Sequence, residues 1–161
     1  MAPPIRADDM AAALHLQACG ISRELRVDLA ACTLEPSPWD DVVFVEAAAA
    51  ALAPGLSRAD FDILAAAGLE CLPLVWALSS FLGRSELAAL TGDASGWFLH
   101  PGVDIRGATV VGLCLVAVSR EQLAAMSAPL EEAGARVVGW AALVAPPGLL
   151  VTDPLAELPK P

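Results

Sequence analysis

The chain has 161 residues, 57% of them apolar and 17% charged, and its 19 acidic against 9 basic side chains give a net charge of −10. That length fits one domain, and the apolar fraction supplies a core that a disordered tail lacks. Lys160 is the single lysine, and the arginines are scattered, so the cationic face that would bind nucleic acid by neutralising phosphates is missing.

In chain order, residues 8 to 19 predict a helix ending at Gly20, and Leu25 to Leu29 a short strand. The N-terminus, with Arg6, Asp8 and Asp9 before a short alanine-rich stretch, lacks the basic region, apolar core and cleavage pattern of a signal peptide, which leaves a cytoplasmic location as the expectation. The segment WDDVVFVEAAAAAL predicts a helix over 39–53, with Asp40 and Asp41 in its first turn and Pro54-Gly55 as its stop. Asp62-Ile-Leu-Ala-Ala-Ala, bounded by Gly68, suits a buried strand. PLVWALSSFLG places Pro73 in the first turn of a helix and Gly83 at its end, where each residue disturbs least. From Thr91 to Gly107 turn residues dominate and predict a surface loop or hairpin. ATVVGLCLVAV is then a buried strand, EQLAAMSAPLEEAGA a helix closing at Gly134, RVVGWAALV a further strand, and a proline-rich tail follows.

Alternating apolar strands and helices imply an α/β protein, a parallel sheet flanked by helices on both faces, with ligands beyond the carboxyl ends of the strands. The longest uncharged apolar runs, 71–83, 107–119 and 137–152, fall short of the roughly 20 residues that span a bilayer, so no membrane partner is expected. Cys19, Cys32, Cys71 and Cys114 lie far apart with no CxxC pair, and they read as buried reduced thiols rather than metal ligands or disulfides.

With that order in place, residues 23–144 resemble the type I phosphoribosyltransferases, and orotate phosphoribosyltransferase in particular. DIRGATVVGLCLVAVSREQLAAMSAPLEEAGARVVGWAALV follows the family's "KGKRVLVVEDVITTGGS" strand and loop and its "LREAGAEVVG" helix end without gaps. FDILAAAGLECLPLVWALSSFLG parallels "FDVIAGVETGGIPLATALALRLG", and GISRELRVDLA parallels "SGRKSPLYVDLR". The resemblance implies a type I phosphoribosyltransferase-like fold with a small N-terminal hood segment. It implies one domain: 1–35 as N-terminal helix and hood, 36–145 as core, 146–161 as tail.

The framework carries over while the binding residues do not. The family's two ribose-binding acids fall on Cys114 and Leu115, and its phosphate loop "TTGGS" on Val118, Ser119, Arg120, Glu121 and Gln122. Both loop glycines are absent, and with them the easy backbone nest for an anion. The pyrophosphate turn "TGG" reads Leu69, Glu70 and Cys71. The lysine-bearing lid becomes Thr91 to Gly96, with no lysine, arginine or histidine between Arg84 and His100. Upstream, the family's substrate lysine falls on Ser22 and its tyrosine on Arg26, while Asp28 is kept as a structural residue.

Removing a single preorganised donor from such a site typically costs about 2.7 to 4 kcal/mol in the transition state. The expectation is therefore a degenerate family member with no catalytic residues, acting as an interaction or regulatory module and pairing as a homodimer. An enzyme that transfers ribose 5-phosphate to orotate in pyrimidine nucleotide synthesis is the alternative, and only in that reading does Mg²⁺ enter as cofactor. A third reading gives the vacated cleft, lined by Leu69, Cys71, Cys114 and Leu115, to an uncharged ligand. His100 and His15 read as surface residues, Glu131 and Glu132 as solvated, and Trp76 and Trp140 as core. Trp97 and Phe98, at the position of the lid, are the candidate interface pair.

Overall fold

Alternation, helix caps and glycine positions account for most of the architecture. The computed structural model describes residues 13–18, 21–28, 32–35, 41–84 and 86–158. Strands β1 (Ala13–Ala18), β2 (Ile21–Asp28) and β3 (Thr33–Glu35) form a small antiparallel sheet. Residues 13–18 are thus a strand, not the C-terminal part of the helix expected over 8–19. In ALHLQA the leucines alternate with His15 and Gln17, a period of two, and Ala18 pairs with Ile21 across a two-residue connection, so hairpin pairing outweighs the helix propensity of alanine.

Helix α1 (Val42–Leu56) begins at Asp41, whose carboxylate caps it by accepting from the amides of Val43 and Phe44 at 3.1 and 3.2 Å. Asp41 is therefore the cap rather than a first-turn residue, and Asp40 lies outside the described residues. The helix also runs through Pro54 to Leu56 instead of stopping at residue 53. Pro54 has no amide to give Ala50, but the extra turn buries Leu56 completely, and burial of a leucine is worth about 1.5 to 3 kcal/mol. Ser57 closes the end, its amide reaching the Ala53 carbonyl.

The central sheet has six strands in the order β6-β5-β4-β7-β8-β9. They are β4 (Ile63–Ala67), β5 (Leu87–Asp93), β6 (Gly96–Leu99), β7 (Thr109–Val116), β8 (Arg136–Ala145) and the two-residue β9 (Ala156–Glu157). All neighbours are parallel except β6, which folds back antiparallel on β5 as a hairpin. Helix α2 (Leu72–Leu82) follows β4 and ends on Gly83 in the left-handed conformation at φ 65°. Helix α3 (Arg120–Glu132) joins β7 to β8.

The α/β class expected from the sequence is what the chain adopts, with both faces of the sheet covered. On one face α1 and α2 pack Phe44, Leu52, Leu74 and Leu78 against Leu64, Val111, Leu113 and Leu143, joined by Val27 and Leu34 of the small sheet. On the other, α3 sets Leu123, Met126 and Leu130 against Ile63, Leu90, Val110 and Trp140. Trp140 is buried as expected and donates from Nε1 to Ser127 Oγ at 2.9 Å, fastening β8 to α3. Its ring occupies the space above Gly112, where a Cβ would sit 2.4 Å from ring carbons. At the amino-terminal end Asp62 locks β4 to β7 by accepting from the Thr109 amide and hydroxyl, each at 2.9 Å. Among the described residues no helix is long and apolar enough to cross a membrane.

Candidate functional site

β4 and β7 are neighbours in the sheet, and the chain leaves β4 outward to β5 on one side and leaves β7 outward to β8 on the other, so the two connections run in opposite directions. A crevice opens at the carboxyl ends of β4 and β7 where they part, the usual place for a ligand in an open α/β sheet. A cleft of about 510 Å³ lies there, bounded by Gly68, Leu69 and Glu70 after β4, Thr91, Gly92 and Trp97 of the hairpin, Cys114 to Val116 of β7, Gln122 and Met126 of α3, and Cys32 and Thr33 before and in β3. The turn after β4 and the loop after β7, which are more than forty residues apart in the sequence, are thus the two sides of one site. Leu69 and Glu70 stand exposed on a single 3-10 turn that leads into α2. Cys71 ends that turn but is wholly buried beneath the cleft and does not line it.

The loop after β7 is closed on itself. Ser119 caps α3, its hydroxyl accepting from the Gln122 amide at 3.1 Å. The Gln122 side chain folds back: Oε1 accepts from the Val118 amide at 2.7 Å, while Nε2 donates to the Val116 carbonyl at 3.0 Å and approaches Cys32 Sγ at 3.3 Å. Amides that converge on an anion where a helix begins are what make a phosphate site. Here the amides of Val118 and Gln122 are already satisfied within the chain. Arg120 and Glu121 are exposed to solvent and neither lines the cleft.

Electrostatics point the same way. Among the residues lining the cleft there is no lysine, arginine or histidine, and Glu70 contributes a carboxylate. The thiols stay protonated: burial pushes Cys114 up to about 12, with Cys32 adding to it, and burial likewise raises Cys71 and, with help from Asp28, Cys32. Cys32 also has a positive φ of 53°, the one such non-glycine residue among those described. Magnesium needs about six oxygen ligands in octahedral array, normally from carboxylates and substrate phosphates. The cleft offers Glu70, two threonine hydroxyls and a glutamine whose oxygen is engaged, a set that does not fit the ion. Among the described residues no group of three or more His, Cys, Asp or Glu side chains could hold a metal.

The aromatic pair at the lid position is split by its strand. Trp97 is half-buried and turns inward, its ring lying on Gly92 with three ring carbons 3.1 Å from where a Cβ would be. Phe98, next along, faces out and is 50% exposed. His100 is exposed, as are Glu131 and Glu132, in keeping with their reading as surface groups. Sequence reasoning missed Cys32, Thr33 and Met126 as lining residues. Only the fold brings them to the cleft, and Cys32 stands ninety residues before its partner Gln122.

No protein-family model matches this chain, and no curated protein matches it. Solved structures do. A purine phosphoribosyltransferase from Pyrococcus horikoshii aligns with a TM-score of 0.54 at 21% identity, over 72% of this chain and 82% of its own. An adenine phosphoribosyltransferase from Thermoanaerobacter pseudethanolicus aligns at 0.61 and 14% identity, over 94% and 98%. Mycobacterium tuberculosis orotate phosphoribosyltransferase, solved with inorganic phosphate, aligns at 0.54 and 15% identity, over 75% and 74%. The chain therefore has the phosphoribosyltransferase fold.

Proposed function

We propose that this chain is a noncatalytic protein on an orotate phosphoribosyltransferase-like framework, working as an interaction or regulatory module rather than transferring ribose 5-phosphate. The observation that carries this reading is the Gln122 side chain seated in the loop after β7, where it takes the Val118 amide and ties itself to Val116. A phosphoribosyl donor brings several phosphate charges, and its transfer depends on fixed donors and cations at the departing pyrophosphate. Of the backbone donors available at this helix start, two are engaged, and the cleft lining carries a carboxylate and no cation. The surviving features, Pro73 at the start of α2 and Gly83 at its end, serve the fold.

Calorimetric titration with phosphoribosyl pyrophosphate and Mg²⁺, beside an orotate turnover assay, tests the reading. No saturable heat and no turnover are expected. Micromolar binding, or orotidylate formation that follows enzyme concentration, would establish the catalytic alternative instead.

A further inference from the structure

We propose that the cleft at the carboxyl ends of β4 and β7 binds a flat organic cation of the amidinium or guanidinium class. This names the ligand for the regulatory role above and rests on that role. The cleft's volume of about 510 Å³ falls within the roughly 300 to 1,000 Å³ of small-molecule sites, which combine apolar walls with a few polar groups. Leu69, Leu115, Val116 and Met126 supply the apolar wall, and Trp97 brings an indole to it. Trp76 was expected in the core, and its position is a correction. In α2 the inward stripe is Leu74, Val75 and Leu78, which leaves Trp76 on the outer side, 71% exposed. Trp97 is therefore the tryptophan that a ligand in this cleft meets.

Charge sets the class of ligand. The lining holds one carboxylate, Glu70, and no lysine, arginine or histidine. Asp28 brings a second negative charge toward the wall at Cys32, while the Cys32 and Cys114 thiols stay neutral. An anion meets repulsion here and no countercharge. An uncharged occupant strips water from Glu70 and gives its carboxylate nothing in return. A cation is matched twice, by that carboxylate and by the Trp97 indole, since tryptophan has the ring that attracts cations best. A planar nitrogen fork suits both groups, because it can give two parallel N–H bonds to a carboxylate and can stack on an aromatic ring. Thr33 and Thr91 add hydroxyl acceptors to the same cleft. The net charge of −10 draws cations toward the whole molecule, and Glu70 with Trp97 fixes where one settles.

Benzamidinium, benzamide and benzoate share one shape and differ in charge. Titrating each of them, and inorganic phosphate, into the full chain tests the proposal, read from the Trp97 indole N–H signal by NMR and assigned with Trp97→Phe. Orotate turnover is measured on the same samples. Benzamidinium should saturate the signal and bind at least about 10-fold more tightly than benzamide, with benzoate and phosphate weaker still. Glu70→Gln should weaken benzamidinium by about 5-fold and leave benzamide unchanged. Glu46→Gln, which removes a charge from the separate groove lined by α1 and α2, should change neither. Glu70 is exposed on its turn, and circular dichroism confirms that its variant is folded; if it is not, the wild-type charge series still decides. Benzamide or an anion as tight as benzamidinium overturns the proposal, as does Glu70→Gln binding like wild type or an equal loss in Glu46→Gln. No saturation with benzamidinium up to about 10 mM also overturns it. Failure of cation binding with absence of turnover leaves the noncatalytic reading standing; turnover defeats that reading whatever the cation does.

Discussion

Gln122 holds the loop after β7 in place by accepting from the Val118 amide and donating to the Val116 carbonyl, with its side-chain nitrogen also 3.3 Å from Cys32 Sγ. Gln122→Ala should therefore destabilise the fold by about 1 to 3 kcal/mol, the usual penalty for a part-buried donor and acceptor left without partners, measured as a shift in urea midpoint at constant slope. Ser79 predicts the opposite sign. Its hydroxyl is buried in α2 without a hydrogen-bond partner, so Ser79→Ala should raise stability by about 1 kcal/mol; a loss of that size would mean the oxygen is engaged. Thiol chemistry follows burial. In a Cys19→Ser background Cys32, the half-buried thiol, should react first with a disulfide reagent at pH 8, while Cys71 and Cys114 wait for unfolding. Part of this was readable beforehand: Ser119 followed three residues later by Gln122 is a capping-box pattern, and it marks both the helix start and the obstruction. Cys32 left no such signal, because nothing local ties it to a residue ninety positions away.

At the scale of elements, the sequence was most informative where periodicity and punctuation agree. β4, β7 and β8 are short apolar runs closed by turn residues, and α2 carries proline and glycine at its two ends. It was least informative where composition favours two outcomes. ALHLQA has the alanine and leucine of a helix and the alternation of a strand, and only pairing with β2 decides. LPLVWALSSFL is apolar nearly all round, so its periodicity cannot say which face turns inward, and Trp76 was placed on the wrong side. β9 is two residues long, too short for any pattern, and exists because the edge of β8 receives it. One close packing contact between strands was invisible for a related reason: Gly112 and Trp140 meet only once β7 lies beside β8. Gly112→Ala should cost about 1 to 3 kcal/mol, as overpacking of a filled core does, because its Cβ has 2.4 Å to the indole. Trp140→Phe in the same chain should return part of that loss, and a double-mutant cycle in urea measures the coupling.

For the whole molecule the charge that excluded nucleic acid also governs stability against pH. At neutral pH the excess of acidic groups works against the compact state through self-repulsion, so the melting temperature at pH 7 should rise as sodium chloride is added and also as pH is lowered toward the isoelectric region near 4.4. Below that, three carboxyls reverse the trend. Asp62 is held low by its hydrogen bonds from the Thr109 amide and hydroxyl, Asp93 by those from Ser95, and Asp104 lies at about 2 through its hydrogen bonds from Arg106. Each has a folded pKa below its unfolded value, so the unfolded chain binds more protons as pH falls. The stability they lend is complete above about pH 4, the unfolded carboxylate range, and is lost as pH drops through the folded values. Melting temperature against pH should therefore peak between neutrality and about pH 4 and fall steeply on the acid side. Asp62 is the carboxyl that joins two central strands, so Asp62→Asn should flatten the acid limb more than Asp93→Asn, whose partner Ser95 lies two residues away in the hairpin turn. A limb equally steep in both variants would place the acid sensitivity elsewhere than at the β4–β7 lock.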